Sequence, residues 1–130
     1  MPYSPLGRGM LTGALPSGGF GDGDFRGGDP RFQGEQLARN LALVNAVGRL
    51  AAPRGITAGQ LALAWLLAQG PDVVPIPGTR RRERLAENAA AAEIELSTAD
   101  LQQLEQVAPR AAWTGDRQSF AAHHTTRTPT

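Results

Sequence analysis

The densest concentration of chemical groups in the chain is Pro77-Gly78-Thr79-Arg80-Arg81-Arg82-Glu83-Arg84-Leu85-Ala86-Glu87-Asn88. Local rules predict a strand end, a glycine turn and a Thr79 N-cap before a helix from about Arg80 to Ala92, with arginines crowded into its first turn. A helix N-terminus carries partial positive charge and four unpaired N–H groups, so each cation there costs about 0.3–1 kcal/mol. A bound phosphate resolves the conflict, because it accepts the N–H groups and pairs with arginine. Arg84 and Asn88 are spaced i, i+4, with Glu87 on an adjacent track. Together they offer a donor, an amide and an acceptor, a set suited to a ribose and a purine. A solvated basic helix face fits the same residues, and both readings stand at this point. Nucleic acid is not expected: the arginines occupy one turn, no aromatics are interleaved, and the net charge is only +1.

Tyr3-Ser4-Pro5-Leu6-Gly7-Arg8-Gly9 is the second segment with chemical promise. An aromatic ring at a strand end, then a hydroxyl and a glycine-rich turn, suits ring stacking and close approach to phosphate. Taken alone, the segment is better explained as an ordinary Gly-Pro turn with an incidental tyrosine. His123 and His124 are adjacent, without cysteine or helical i, i+4 spacing, so no metal site is expected. Trp65 lies in an all-apolar stretch and is read as core.

The elements that must position these residues follow in order. Pro2–Gly7 reads as the end of a strand. Thr12–Gly34 shows neither a 3.6- nor a 2-residue period and is expected to be one long loop. Leu37, Leu41, Val44, Val47, Leu50 and Ala51 recur at helical spacing, and Pro53-Arg54-Gly55 stops that helix. Thr57-Ala58-Gly59-Gln60 is a capping-box pattern, with Ile56 and Leu61 placed for a hydrophobic staple. The helix it opens, to about Gln69, is apolar nearly all round and so is expected between neighbours. Val73-Val74-Pro75-Ile76-Pro77 is a short apolar run that its prolines make a poor central strand. A last helix starts at the Ser97-Asp100 cap and ends before Pro109. Trp113 and Phe120 are read as tail residues whose packing surface lies outside the chain.

Composition sets the frame. With 41% hydrophobic and 19% charged residues, the chain reads as a globular α/β protein rather than a disordered one. The longest apolar stretch, Leu61–Ala68, is about half of what a bilayer needs, and the start lacks the pattern of a secretory leader. Cysteine is absent, which excludes disulfides and favours a reducing, cytoplasmic setting. All 13 basic residues are arginine, and Tyr3 is the single tyrosine.

Read together, the two segments resemble the aldo-keto reductases, (β/α)8 barrels that bind NADPH without a Rossmann motif. Tyr3–Gly9 with Leu11-Thr12-Gly13 is similar to that family's seventh-strand segment. Leu61–Leu67 followed by Val74–Thr79 is similar to its seventh helix and eighth strand, and Arg84–Asn88 completes the match. The resemblance runs from residue 1 to about 117, leaving 118–130 as a flexible tail. It implies the C-terminal portion of a TIM barrel, incomplete, with about two strands and four helices; a full barrel takes about 200 residues or more. It further implies that Tyr3 stacks on nicotinamide and that Ser4, Leu6 and Arg8 line the pyrophosphate channel. Thr79, Arg80 and Arg84 would hold the 2′-phosphate of NADP, Glu87 and Asn88 the adenine, and Arg26 or Arg31 would clamp the loop over the cofactor. In the family a tyrosine protonates the carbonyl oxygen, helped by a lysine, an aspartate and usually a histidine from the first half of the barrel. This chain has no lysine, and its tyrosine occupies the stacking position. The expectation is therefore a cofactor-binding fragment without the catalytic residues, whose partner is NADP(H) and possibly the N-terminal half of the barrel. A non-catalytic phosphate- or nucleotide-binding module and a split-barrel partner are the alternatives.

Overall fold

The computed structural model describes residues 1–115. Four helices form its frame: α1 (Gly34–Ala51), α2 (Ala58–Leu67), α3 (Arg82–Ala90) and α4 (Thr98–Val107). The local signals account for their ends. Thr57 Oγ1 accepts the Gln60 N–H at 3.1 Å while Gln60 Oε1 accepts the Thr57 N–H at 3.0 Å. The same reciprocal box joins Ser97 and Asp100 at α4. After α1 the chain makes one 3-10 turn and is released by Gly55 in the left-handed conformation (φ 68°).

Two apolar clusters hold the frame together. Val47, Ala51, Leu61 and Leu104 bring α1, α2 and α4 into one core, with Ile56 and Trp65 packed against it. Trp65 is thus partly buried core, as its stretch predicts, and α2 buries Gly59, Leu61, Leu63 and Ala64. The second cluster is Met10, Phe32 and Val44, flanked by Leu37, Leu41 and Trp113. Trp113 corrects the sequence reading: its surface is inside the chain. A buried amide secures it, because Asn40 Oδ1 accepts the Thr114 N–H at 2.9 Å and Asn40 Nδ2 donates to Thr114 O at 3.0 Å. Phe120, His123 and His124 lie outside the described residues.

The two expected strands are reduced to one parallel bridge, Tyr3 with Ile76. Ile76 N–H donates to Pro2 O at 3.3 Å. Pro2 has no N–H to continue the pairing on one side and Ser4 turns into left-handed backbone (φ 46°) on the other, while Pro75 and Pro77 remove donors from the opposite edge. A second correction concerns Thr12–Gly34. Two short 3-10 turns, Phe25–Gly28 and Pro30–Phe32, interrupt it, each begun by an aspartate that caps and pairs with the arginine two residues on.

Candidate cofactor site

Parallel pairing decides where the two chemical segments go. Neighbouring parallel strands end at the same edge, so the Ser4–Gly9 turn and the Gly78-Thr79 turn leave from one side of the Tyr3–Ile76 bridge. Residues more than seventy apart in sequence are thereby brought together at the end of a strand pair where (β/α) proteins place ligands. Tyr3 is 54% exposed and Ile76 49% exposed at this edge.

The first turn is tightly wound. Gly7 N–H donates to Ser4 O at 2.9 Å, and the Gly9 and Leu11 N–H groups both reach Leu6 O. Ser4 (φ 46°) and Arg8 (φ 57°) hold left-handed backbone that side-chain-bearing residues seldom adopt. Conformations of this kind cost about 1–3 kcal/mol and concentrate at ligand sites. The Leu6 side chain packs toward α2, where a Cβ on Gly59 would lie 3.7 Å from it. A latch holds the turn from the other side. Arg26 Nη1 donates to Arg8 O at 3.2 Å while its Nη2 pairs with Asp24 at 2.7 Å, and its guanidinium lies 4.6 Å over the Phe20 ring. Asp24 is held below the usual carboxylate range, chiefly by the Arg26 side chain. Arg31 repeats the pattern, pairing with the buried Asp29 at 2.7 Å.

At the second segment the helix begins later than the sequence indicates. Thr79 does not cap it. Thr79 Oγ1 instead accepts the Arg81 N–H at 3.1 Å, a local turn that competes with helix, and α3 starts at Arg82 with Arg81 as N-cap. The first turn therefore holds Arg82, Glu83 and Arg84, and Arg80 and Arg81 precede it. Thr79–Arg82 are exposed, whereas Arg84, Glu87 and Asn88 are half-buried. Arg84 Nη1 donates to Glu87 Oε2 at 2.7 Å. Glu87 is also bound to α2: Thr57 Oγ1 donates to its Oε1 at 2.8 Å, and Gln60 Nε2 donates to its backbone O at 3.0 Å. Sequence reading marked these arginines but missed this tie, since nothing local links Thr57 to Glu87.

A cleft of about 370 Å³ lies elsewhere, between Pro2, Leu11, Leu61, Trp65, Leu104 and Trp113. It is apolar and touches Ser4 and Arg8, but no α3 residue lines it. The arginines of the Gly78–Asn88 segment lie outside that cleft. Among the described residues no cluster of three His, Cys, Asp or Glu side chains is placed to hold a metal, and no helix is long and apolar enough to cross a membrane.

Comparison with known proteins shows the family. The sequence profile of the Aldo/keto reductase family matches residues 1–109, and the chain belongs to that family. It is 47% identical over 116 residues to "Aldo-keto reductase yakc [NADP(+)]" of Schizosaccharomyces pombe, covering 88% of this chain and 34% of that protein. It is 39% identical over 116 residues to "Aldo-keto reductase str7" of Strobilurus tenacellus, with the same coverage. Among solved structures it superposes on the glycerol dehydrogenase AKR11B4 of Gluconobacter oxydans with a TM-score of 0.75 at 27% identity, over 88% of this chain and 35% of that one. The chain spans about a third of the length of the curated relatives it matches. Its helix-rich, strand-poor fold is consistent with the TIM barrel of that structural neighbour.

Proposed function

We propose that this chain carries the NADP(H)-binding part of a cytoplasmic aldo-keto reductase whose parent reaction is NADPH-dependent reduction of aldehydes and ketones. The observation that carries the proposal is the parallel Tyr3–Ile76 bridge, which puts the Tyr3–Gly9 turn and the arginine-bearing Gly78–Asn88 segment at one strand edge. Thr79, Arg80 and Arg84 receive the 2′-phosphate, Asn88 and Glu87 face the adenine, Ser4, Leu6 and Arg8 border the pyrophosphate, and Tyr3 stacks on nicotinamide. The relative from Schizosaccharomyces pombe, named for NADP(+), supports that choice of nucleotide. When bound, the cofactor supplies the hydride; the residues of this chain bind and orient it.

The chain has no lysine, and its one tyrosine is assigned to stacking, so it lacks the proton donor and the cation that tunes it. Purified protein is expected to bind NADPH without reducing a simple aldehyde above a buffer blank. Fluorescence titration with NADPH tests the site. A charge-assisted arginine–phosphate contact contributes about 1.5–3 kcal/mol. Arg80→Ala or Arg84→Ala is therefore expected to weaken binding by roughly tenfold or more. Affinity unchanged in both variants removes the proposal.

A split-barrel reading is favoured by one further observation: Tyr3, Val74 and Ile76, large apolar or aromatic side chains at the bridge, are about half exposed. It predicts that co-expression with an aldo-keto reductase polypeptide supplying the other strands restores aldehyde reduction. Inactivity of the co-purified pair counts against it.

A further inference from the structure

The cap of α2 and the arginine of α3 belong to one hydrogen-bonded chain. Thr57 Oγ1 accepts the Gln60 N–H at 3.1 Å and donates its own proton to Glu87 Oε1 at 2.8 Å. The other oxygen of Glu87 receives Arg84 Nη1 at 2.7 Å. Gln60 closes the arrangement by donating to Glu87 O at 3.0 Å while its Oε1 accepts the Thr57 N–H. Glu87 is thus fixed at its backbone and at both carboxylate oxygens. Of the five guanidinium donors of Arg84, this chain of contacts uses one, at Nη1.

We propose that Thr57 is a positioning residue for nucleotide selectivity: through Glu87 it fixes the orientation of the Arg84 guanidinium that receives the 2′-phosphate. The inference rests on the cofactor reading given above. A guanidinium presents five donors in a rigid fork, and Glu87 takes one from one edge, which leaves the opposite edge for a phosphate. An arginine on an isolated exposed helix loses rotamer freedom when it captures an anion. One already held loses less, and that difference appears as affinity. Thr57 never touches the nucleotide in this account. It acts by holding Glu87, much as an outer partner orients a metal ligand. Helix capping alone does not call for the contact, because the cap is complete with Gln60.

The test compares 2′,5′-ADP with 5′-AMP, which differ only in the 2′-phosphate, by isothermal titration of the full chain. Thr57→Gly removes the hydroxyl without adding charge, and glycine is a tolerated N-cap. Thr57→Val is the second variant, and Thr57→Ser restores the hydroxyl. The ratio of the two affinities is the readout, since a partly unfolded sample weakens both equally. Thr57→Gly and Thr57→Val are expected to lower the preference for 2′,5′-ADP about three- to tenfold, with Thr57→Ser close to the parent. A ratio unchanged in both hydroxyl-less variants, whatever their melting temperature, overturns the role of Thr57. A parent chain with no preference for 2′,5′-ADP fails at the earlier step and overturns the cofactor reading as well.

Discussion

Asn40→Ala should loosen the closing segment of the described structure from α1. Asn40 is 3% exposed, and its amide forms a two-bond ring with the Thr114 peptide at 2.9 and 3.0 Å. Two longer contacts at 3.3 Å reach Arg31 O and the Thr114 hydroxyl. Well-formed hydrogen bonds contribute about 1 kcal/mol each net, so the ring is worth about 2 kcal/mol, and the longer pair adds a fraction more. For a chain of this size that corresponds to a fall in melting temperature of roughly 8 °C. The segment carries Trp113 onto Met10, Phe32 and Val44, so its indole reports the event. In a Trp65→Phe background, urea unfolding followed by tryptophan emission should show a lower midpoint. Native-state emission should also shift to the red as Trp113 meets water. A stability change under about 0.5 kcal/mol with unshifted emission would refute the assignment of Asn40 as the clip.

Other expectations follow from single contacts. Asp100 is lowered from 3.8 to about 2, first by the Arg54 side chain and then by Ser97. A depressed carboxylate stabilises the fold above its unfolded value, and that contribution is lost between about pH 3.8 and 2. Arg54→Ala should move the Asp100 titration, followed by carboxyl NMR, upward toward 3.8 and flatten the stability profile in that window; an unmoved midpoint contradicts the pairing. Gly9 has φ 95°, and a Cβ there would sit 3.4 Å from Arg26 Nη1. Gly9→Ala should therefore cost about 1–2 kcal/mol in thermal unfolding, and a neutral result would mean the turn relaxes freely.

How much of this was legible in the sequence depends on the range of the interaction. Thr57–Gln60, Ser97–Asp100 and Gly55 act within four residues, so the starts of α2 and α4 and the stop after α1 were readable, whereas the start of α1 at Gly34, read as loop, was not. The turns after Asp24 and Asp29 are equally local, but Asp-x-Arg pairs leave no hydrophobic period, and the segment read as a plain loop. The start of α3 was misplaced because the Thr79 hydroxyl has two local options, and the one it takes satisfies Arg81 outside the helix. Asn40 lies between apolar residues on α1, and nothing local marks it as buried, because its partner is seventy-four residues away. The exposed arginines at the candidate site were legible from composition and spacing. The Glu87–Thr57 tie beside Arg84 spans thirty residues and has no sequence signal.

The central claim, that this segment recognises a 2′-phosphorylated nicotinamide nucleotide, is tested most directly by titrating the unmodified chain in parallel with NADPH and NADH at low salt. Contacts from Arg80 and Arg84 to the 2′-phosphate predict that NADPH binds at least about tenfold more tightly, with the preference shrinking as salt rises. Equal affinity for the two nucleotides, or no binding of either by a folded chain, would contradict the account.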